Sequence, residues 1–314
     1  MKRKKKVLIS LVISCYNEEG CILELYKEIQ HYIPKEYRME YIFVDDGSTD
    51  RTLAIIEQLA KKYKDVYFIS FSRNFGHQYA LKAGLDRARG ACAITMDADL
   101  QHPPKLIPTF IAKWQEGYDI VYTKRDDTNA PLFKKIGSRA FYFTINLLSS
   151  VDIPYGSADF RLLDRKVVTK IKNLQESVIF LRGLIRWFGF RQYELTYVPN
   201  KRYSGKSKYS SGKMFLFALE GITSFSVKPL KISTVLGFIL SFFSGLYALY
   251  AVIIFTFRLG AISGWASVIV SVLFLGGVQL LMLGIIGEYL GALFMETKGR
   301  PSYIVNKTNI PHER

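Results

Sequence analysis

The sequence predicts an α/β domain on a mainly parallel sheet of the nucleotide-binding kind, followed by two membrane-crossing helices. Three observations carry that expectation. Short β-rich runs alternate with helical segments over residues 7 to 123. Polar and acidic clusters stand where those strands stop. Two uncharged stretches, Ile232 to Phe257 and Trp265 to Gly287, each exceed the roughly 20 residues that cross a hydrocarbon core.

The strands are expected at residues 7–14 (VLISLVIS), 41–45 (YIFVD), 66–71 (VYFISF), 91–96 (ACAITM) and 118–123 (YDIVYT). Between them EEGCILELYKEIQHY, DRTLAIIEQLAKKY and HQYALKAGLDRAR place apolar residues at helical spacing, the last with Gly90 as its C′ residue. Beyond residue 130 the pattern changes. Residues 131–150, PLFKKIGSRAFYFTINLLSS, read as an amphipathic helix that lies at a membrane interface or packs on the sheet. DFRLLDR (159–165) reads as a short strand and turn, SVIFLRGLIRWFGF (177–190) as a helix, and YELTYVP (193–199) as a strand. A Gly/Ser-rich basic loop occupies 200–210, and GKMFLFALEGITSFSVKP is a second candidate interfacial helix leading into the bilayer. The expected domain boundaries are therefore 1–210 for the α/β unit, 211–231 for a juxtamembrane connector, 232–290 for the membrane hairpin (about 232–257 and 265–288) and 291–314 for a tail.

Lys228 and Lys231 before the first apolar run, and Lys298, Arg300 and Lys307 after the second, outnumber the single Arg258 between them. Both termini are expected on the cytoplasmic side. The N-terminal MKRKKK and VLISLVIS imitate a signal peptide, but the apolar part is short and lacks a small-residue cleavage site, so it reads as a strand. A net charge of +16 suits nucleic acid or an anionic membrane. With membrane helices at hand the membrane is the simpler partner, and no nucleic acid is expected. Cys15, Cys21 and Cys92 form no CxxC pair and are expected to be reduced thiols.

Strand ends are where ligands bind in such sheets. Four converge here: SCYNEE (14–19), DDGSTD (45–50), SRNFGH (72–77) and DADLQH (97–102). CYNEEG is not the G-x-G-x-x-G of a dinucleotide fold, and no phosphate-binding P-loop is present, which sets aside dehydrogenases and P-loop NTPases. Asp97 and Asp99 end the fourth strand as a D-x-D. Two carboxylates on one turn repel unless a cation sits beside them, and the economical one is Mg²⁺ or Mn²⁺ completed by a diphosphate. A turn that caps the next helix before Pro103 and Pro104 needs the same residues.

Taken together, SCYNEE, VDDGSTD, SFSRNFGHQYAL, MDADLQHPP, ADFRLLDR, FLRGLIRWFGF, RYSGKSKYS and the terminal LGIIGEYLG resemble the inverting GT-A (Rossmann-like) glycosyltransferases of family 2. Within them the chain is similar to membrane-anchored polyprenyl-phosphate glycosyltransferases such as bactoprenol glucosyltransferases and dolichol-phosphate mannose synthases. Ser14 departs from the Pro often found there. The resemblance implies that Tyr16, Glu18 and Asp46 contact the nucleotide, Asp97 the donor's ribose or sugar, and Asp99 and Gln101 the Mg²⁺ or Mn²⁺. Asp159 matches the residue assigned as base. A polyprenyl monophosphate is already largely dianionic at neutral pH, so Asp159 either takes a proton or orients a reactant. Arg125 and Arg139 are implied for the lipid phosphate. Arg202, Ser207, Lys208 and Tyr209 in the basic loop are candidates to close over the donor diphosphate. His102 shapes its loop, or is solvated.

The implied activity is transfer of a sugar from a nucleotide-sugar, UDP-linked by expectation, to undecaprenyl phosphate at the cytoplasmic face of a bacterial inner membrane, for cell-envelope glycosylation. Gly287 and Gly291 form a G-x-x-x-G, and a homo-oligomer, a tetramer as in similar enzymes, is expected. A processive polysaccharide synthase is the enzymatic rival, but its Q-x-x-R-W reads GLIRW here, with Gly183 for Gln, and two helices are too few for a channel. An inactive membrane scaffold would have lost one of Asp97, Asp99, Gln101 or Asp159, and all are present.

Overall fold

A computed structural model describes residues 6–126, 156–174, 176, 179–200, 226–257 and 264–311. The chain order is β1 (Leu8–Cys15), α1 (Ile22–Tyr32), β2 (Arg38–Asp45), α2 (Thr52–Lys62), β3 (Val66–Phe71), α3 (His77–Arg87), β4 (Cys92–Asp97), α4 (Ile107–Gln115), β5 (Ile120–Arg125), β6 (Ser157–Asp164), α5 (Arg165–Lys172), α6 (Leu181–Trp187), β7 (Gln192–Tyr197), α7 (Lys228–Thr256), α8 (Trp265–Thr297) and β8 (Val305–Thr308). The sheet runs β7-β5-β6-β4-β1-β2-β3-β8. Only β6 and β8 oppose the common direction, so the expected mainly parallel, Rossmann-like sheet is a mixed one.

The strands alternate their side chains between two apolar layers. Ile9, Leu11 and Ile13 enter the layer of Phe43, Phe110 and Phe160, while Val12 enters that of Ile42, Val44 and Leu81. Burial on both faces explains why β1 reads as a continuous apolar run rather than an alternating one. Each fully buried Ile or Phe contributes about 1.5–3 kcal/mol, and together they fix the register on which the site depends. Helix α3 lies against β1 because Gly84 has no side chain: a Cβ there would sit 2.2 Å from Val12 Cγ1.

Several local expectations are corrected. Helix α3 ends at Arg87, so Gly90 is not its C′ residue; it is small because a Cβ there would meet the Ser10 backbone nitrogen at 2.6 Å. The helix expected over 177–190 is confined to Leu181–Trp187, and the chain leaves it through Gly189 at φ 68°. Lys228 and Lys231 lie inside α7 rather than before it, and α8 continues past residue 288 to Thr297. Helices α4 and α5 have no counterpart among the expected elements. The basic RKVVTKIK of α5 begins directly at the end of β6, with Asp164 accepting from the Lys166 amide as its N-cap.

Helices α7 and α8, 29 and 33 residues long, turn residues such as Phe238, Phe242, Leu280 and Leu290 outward, and these stay uncovered among the described residues. Their length and apolar surface make the protein membrane-embedded. The chain beyond α8 is held against the domain. Residues Val305–Thr308 form β8, antiparallel to the edge strand β3. Asn309 accepts from the Phe68 amide at 2.7 Å and donates to the Val66 carbonyl at 3.1 Å. Tyr303 stacks on Phe71 at 5.0 Å and donates to Asp86 at 3.0 Å. The segment that follows α8 therefore packs against the α/β domain.

Replacing Asn309 with Ala removes both of its side-chain hydrogen bonds to the β3 backbone. The expected cost is about 1–3 kcal/mol, read as a lower melting temperature in detergent and faster hydrogen exchange at the Phe68 amide.

Candidate active site

The site is assembled at the carboxyl ends of β1, β2 and β4 and across to β6. Two loops are stitched together first. The Asn17 amide donates to Ser48 Oγ at 2.9 Å, the Thr49 amide to Asn17 Oδ1 at 2.8 Å, and the Glu18 amide to Thr52 Oγ1 at 2.8 Å. Asn17 takes a positive φ of 51° to make this exchange. Tyr16 and Glu18 remain half-buried on the rim. Asp46, by contrast, is buried, and its carboxylate accepts from the amides of Phe75 (2.7 Å) and Gly76 (3.0 Å). It pins the loop that ends in His77. Burial raises the Asp46 carboxyl above its ordinary range, against the pull of those two amides and of His77.

Register brings the next two carboxylates level. Ser14 pairs with Asp97 across β1 and β4, and Thr95 pairs with Arg161 across the antiparallel β4 and β6. Two residues further along each strand, Asp97 and Asp159 stand opposite one another. His77, the first residue of α3, fills the gap: its Nε2 lies 3.4 Å from Asp97 Oδ1 and 3.4 Å from Asp159 Oδ2. Its Nδ1 is 3.0 Å from Ser14 Oγ, which in turn donates to Asp97 Oδ1 at 3.2 Å.

Asp159 is 3% exposed and encircled by donors. Arg182 grips it with Nε at 3.1 Å and a terminal nitrogen at 2.7 Å, Arg161 donates at 3.0 Å, and Gln78 at 3.2 Å. Burial pushes its carboxyl upward, but the Arg182 charge, the His77 hydrogen bond and the Arg161 charge outweigh burial and hold it well below the usual range. For His77, burial likewise opposes charging and is outweighed by Asp97 and Asp159, which raise it from 6.5 to about 9. At neutral pH the ring is an imidazolium whose two N–H groups both face acceptors.

On the other side of Asp97, His102 Nδ1 accepts from the Asp97 amide at 3.0 Å while its ring stacks on Phe160 at 5.1 Å. His102 is buried and its Nδ1 also lies 3.8 Å from Asp97 Oδ2, so the ring ties the 97–102 turn to β6. Leu100 at φ 62° folds the turn so that the Gln101 amide donates to Asp99 Oδ1 at 3.1 Å. Arg125 reaches Gln101 Oε1 at 3.5 Å, and the Asn200 side chain reaches the Leu100 carbonyl at 3.4 Å. Among the described residues, no group of three His, Cys, Asp or Glu side chains is arranged to hold a metal ion. One carboxylate and one amide oxygen fit a hard divalent cation completed by substrate phosphate and water, and do not fit an all-protein metal cage.

Tyr16, Glu18, Asp46, Asp97, Asp99, Gln101, Arg125 and Asp159 are thus all placed at this end of the sheet. Arg139, Arg202, Ser207, Lys208 and Tyr209 lie outside the described residues, as do the segments 131–150 and 211–225. Sequence reasoning assigns no role to His77, Gln78, Arg161 or Arg182. Arg161 was within reach, because a strand places residues two apart on one face and Asp159 is a candidate from the sequence alone. The other three meet Asp159 only through the fold.

Over residues 10–172 the sequence matches the model of Glycosyl transferase family 2. The chain belongs to that family and is a glycosyltransferase. It is 42% identical over 308 residues to the uncharacterized glycosyltransferase YkcC of Bacillus subtilis, covering 97% of this chain and 95% of that one. With the SfII prophage-derived bactoprenol glucosyl transferase of Shigella flexneri it shares 41% identity over 303 residues, 96% of this chain and 98% of that one. Among solved structures, S. aureus TarS 1-349 with UDP-GlcNAc aligns at 20% identity and a TM-score of 0.47, over 69% of this chain and 65% of that one.

The charges set two expected outcomes. His77 is raised in the folded state, so its stabilising contribution is complete below about pH 6.5 and is lost as pH rises through about 9. The melting temperature of the wild type should fall across that window relative to His77→Gln. Asp159→Asn leaves the buried Arg161 facing a neutral amide, and breaking such a pair costs about 3–5 kcal/mol; its melting temperature should fall at neutral pH, and the gap to wild type should close only as pH falls well below the usual carboxylate range.

Proposed function

We propose that this protein is a GT-A polyprenyl-phosphate glycosyltransferase. A nucleotide-sugar, a UDP-sugar by this reading, donates its sugar with inversion to undecaprenyl phosphate at the cytoplasmic face of the bacterial inner membrane. The observation that carries the reading is a carboxylate cluster at the ligand-binding edge of the sheet, in a chain that also has two helices long and apolar enough to cross a membrane. Full-length similarity to proteins named bactoprenol glucosyl transferases supports the acceptor class. The pairing of β8 with β3 supports a hairpin topology, with both ends of the chain on one side. The Lys and Arg near the helix ends support the cytoplasm as that side.

In this reading Tyr16 and Glu18 receive the base and ribose, Asp46 supports that pocket through the 75–76 backbone, and Asp97 orients the donor sugar. Asp99 and Gln101 would hold Mg²⁺ or Mn²⁺, which when bound neutralises charge developing on the departing diphosphate. An oxygen of the acceptor phosphate attacks the anomeric carbon from the face opposite the diphosphate as the bond to the nucleoside diphosphate breaks. The acceptor is already largely a dianion, so no proton need leave it. Asp159 suits positioning better than proton abstraction, because its oxygens are held by Arg161, Arg182, Gln78 and His77 and its basicity is suppressed. Its task is to fix Arg182 and His77 at the reacting centre. Arg125, with Arg139 and the basic loop of Arg202, Ser207, Lys208 and Tyr209, supplies cations for lipid phosphate and diphosphate. A homo-oligomer, with a tetramer as its form, packs through the open glycine positions Gly284, Gly287 and Gly291 of α8.

A transfer assay tests this. Membranes with the wild type or Asp99→Ala receive undecaprenyl phosphate, Mg²⁺ and labelled nucleotide-sugars. Label should pass into the organic phase with one donor, and the variant should lose about 100-fold or more. Label in an insoluble polymer would mark a processive synthase, and no transfer by folded wild type would mark a scaffold.

A further inference from the structure

We propose that His77 is a positioning residue of the transfer reaction, bridging the carboxylate that faces the donor sugar and the carboxylate that organises the acceptor side. The inference rests on the proposed function for what Asp97 and Asp159 each serve.

The geometry is specific. Nε2 of one imidazole stands 3.4 Å from both carboxylates, and Nδ1 is tied at 3.0 Å to Ser14, whose hydroxyl returns to Asp97. The ring is held from below as well. Gly76 and Phe75, the residues just before it, donate their amides to Asp46, so the loop that delivers the ring is fixed to the end of β2. Every element packed around it contributes a charged or polar group: Ser14 from β1, Asp46 after β2, Asp97 from β4, Asp159 from β6 and Arg182 from α6.

The charges explain why a cation belongs there. Asp159 has Arg161 and Arg182 as partners. Asp97 has neither within ion-pair distance; two imidazoles stand near it, His77 with Nε2 at 3.4 Å and His102 with Nδ1 at 3.8 Å, and of the two His77 also reaches Asp159. Without His77, Asp97 would stand level with Asp159 across β4 and β6 while Arg161 and Arg182 are engaged by Asp159, and its charge would face the place where an anionic phosphate has to approach an anionic diphosphate-sugar. The N-terminus of a helix is also an unfavourable place for a cation, so a positive ring there is kept by the two carboxylates and not by α3. The ring thereby sets the distance between donor and acceptor sides and lowers the repulsion on the approaching phosphate. It need not touch either substrate or exchange a proton with it.

The test compares His77→Gln, which keeps a donor but removes the charge, with His77→Lys, which restores a charge. Three quantities are read in detergent-solubilised full-length protein: kcat and acceptor KM for the transfer, UDP binding by calorimetry with Mg²⁺ present, and the melting temperature. The expected result is a fall of about 10- to 100-fold in kcat/KM for the acceptor in His77→Gln. UDP affinity should change less than about threefold, and His77→Lys should recover at least part of the loss. Equal impairment in both variants, or loss of UDP binding in step with activity, would make His77 merely structural and overturn the proposal; so would near-wild-type turnover by His77→Gln. A wild type that binds UDP but glycosylates no polyprenyl phosphate would instead sink the proposed function beneath it.

Discussion

Two carboxylates brought level by strand register need compensating charge, and the centre of this protein is arranged around that need. Asp97 and Asp159 face each other because β6 runs antiparallel to β4 in a fixed register. The register is fixed because both strands are buried on both faces. Arg161 from the same strand, Arg182 from α6 and His77 from α3 then supply the positive charge, each from a different direction. A buried carboxylate with such partners stays ionised, so the site presents fixed dipoles and charges rather than a group waiting for a proton. For the proposed transfer, whose nucleophile is already ionised, that is the useful arrangement.

The same economy appears in the loops. Asp46 uses both carboxylate oxygens on the backbone of residues 75 and 76, and so a residue expected at the nucleotide also determines where His77 points. Asn17 and Leu100 accept left-handed backbone to close their turns around the site. Non-glycine residues in that region are uncommon, and here both lie in the loops that carry the candidate binding residues.

Membrane attachment is built into the sheet as well as the helices. After α8 the chain returns to add β8 to the edge at β3, with Asn309, Tyr303 and the Lys307–Glu57 pair locking it down. An exposed sheet edge is thereby covered. Strand β3 leads directly into the loop of Phe75 and Gly76, so the end of a membrane helix and the loop that carries His77 share one strand. The loop that carries His77 is thus tied, through one strand and its backbone hydrogen bonds, to the segment that follows α8.

Much of this was legible in the sequence, because it depends on local pattern. Alternating β-rich and helical runs indicated the α/β class and the five strands before residue 126, each within a few residues of its place. Two uncharged runs indicated the membrane helices, since hydrocarbon thickness sets a length that soluble helices rarely meet with no polar face. Strand ends marked Tyr16, Asp46, Asp97 and Asp99 as neighbours. The antiparallel course of β6, the return of β8 and the ring of donors around Asp159 were decided only in three dimensions. Each depends on contacts between residues far apart in the chain, such as His77 with Asp159 or Asn309 with Phe68, and periodicity reports on one segment at a time. The sequence by itself determined which residue types gather at the sheet edge; the tertiary structure decided which charges compensate which, because that depends on distances of a few ångströms between separate elements.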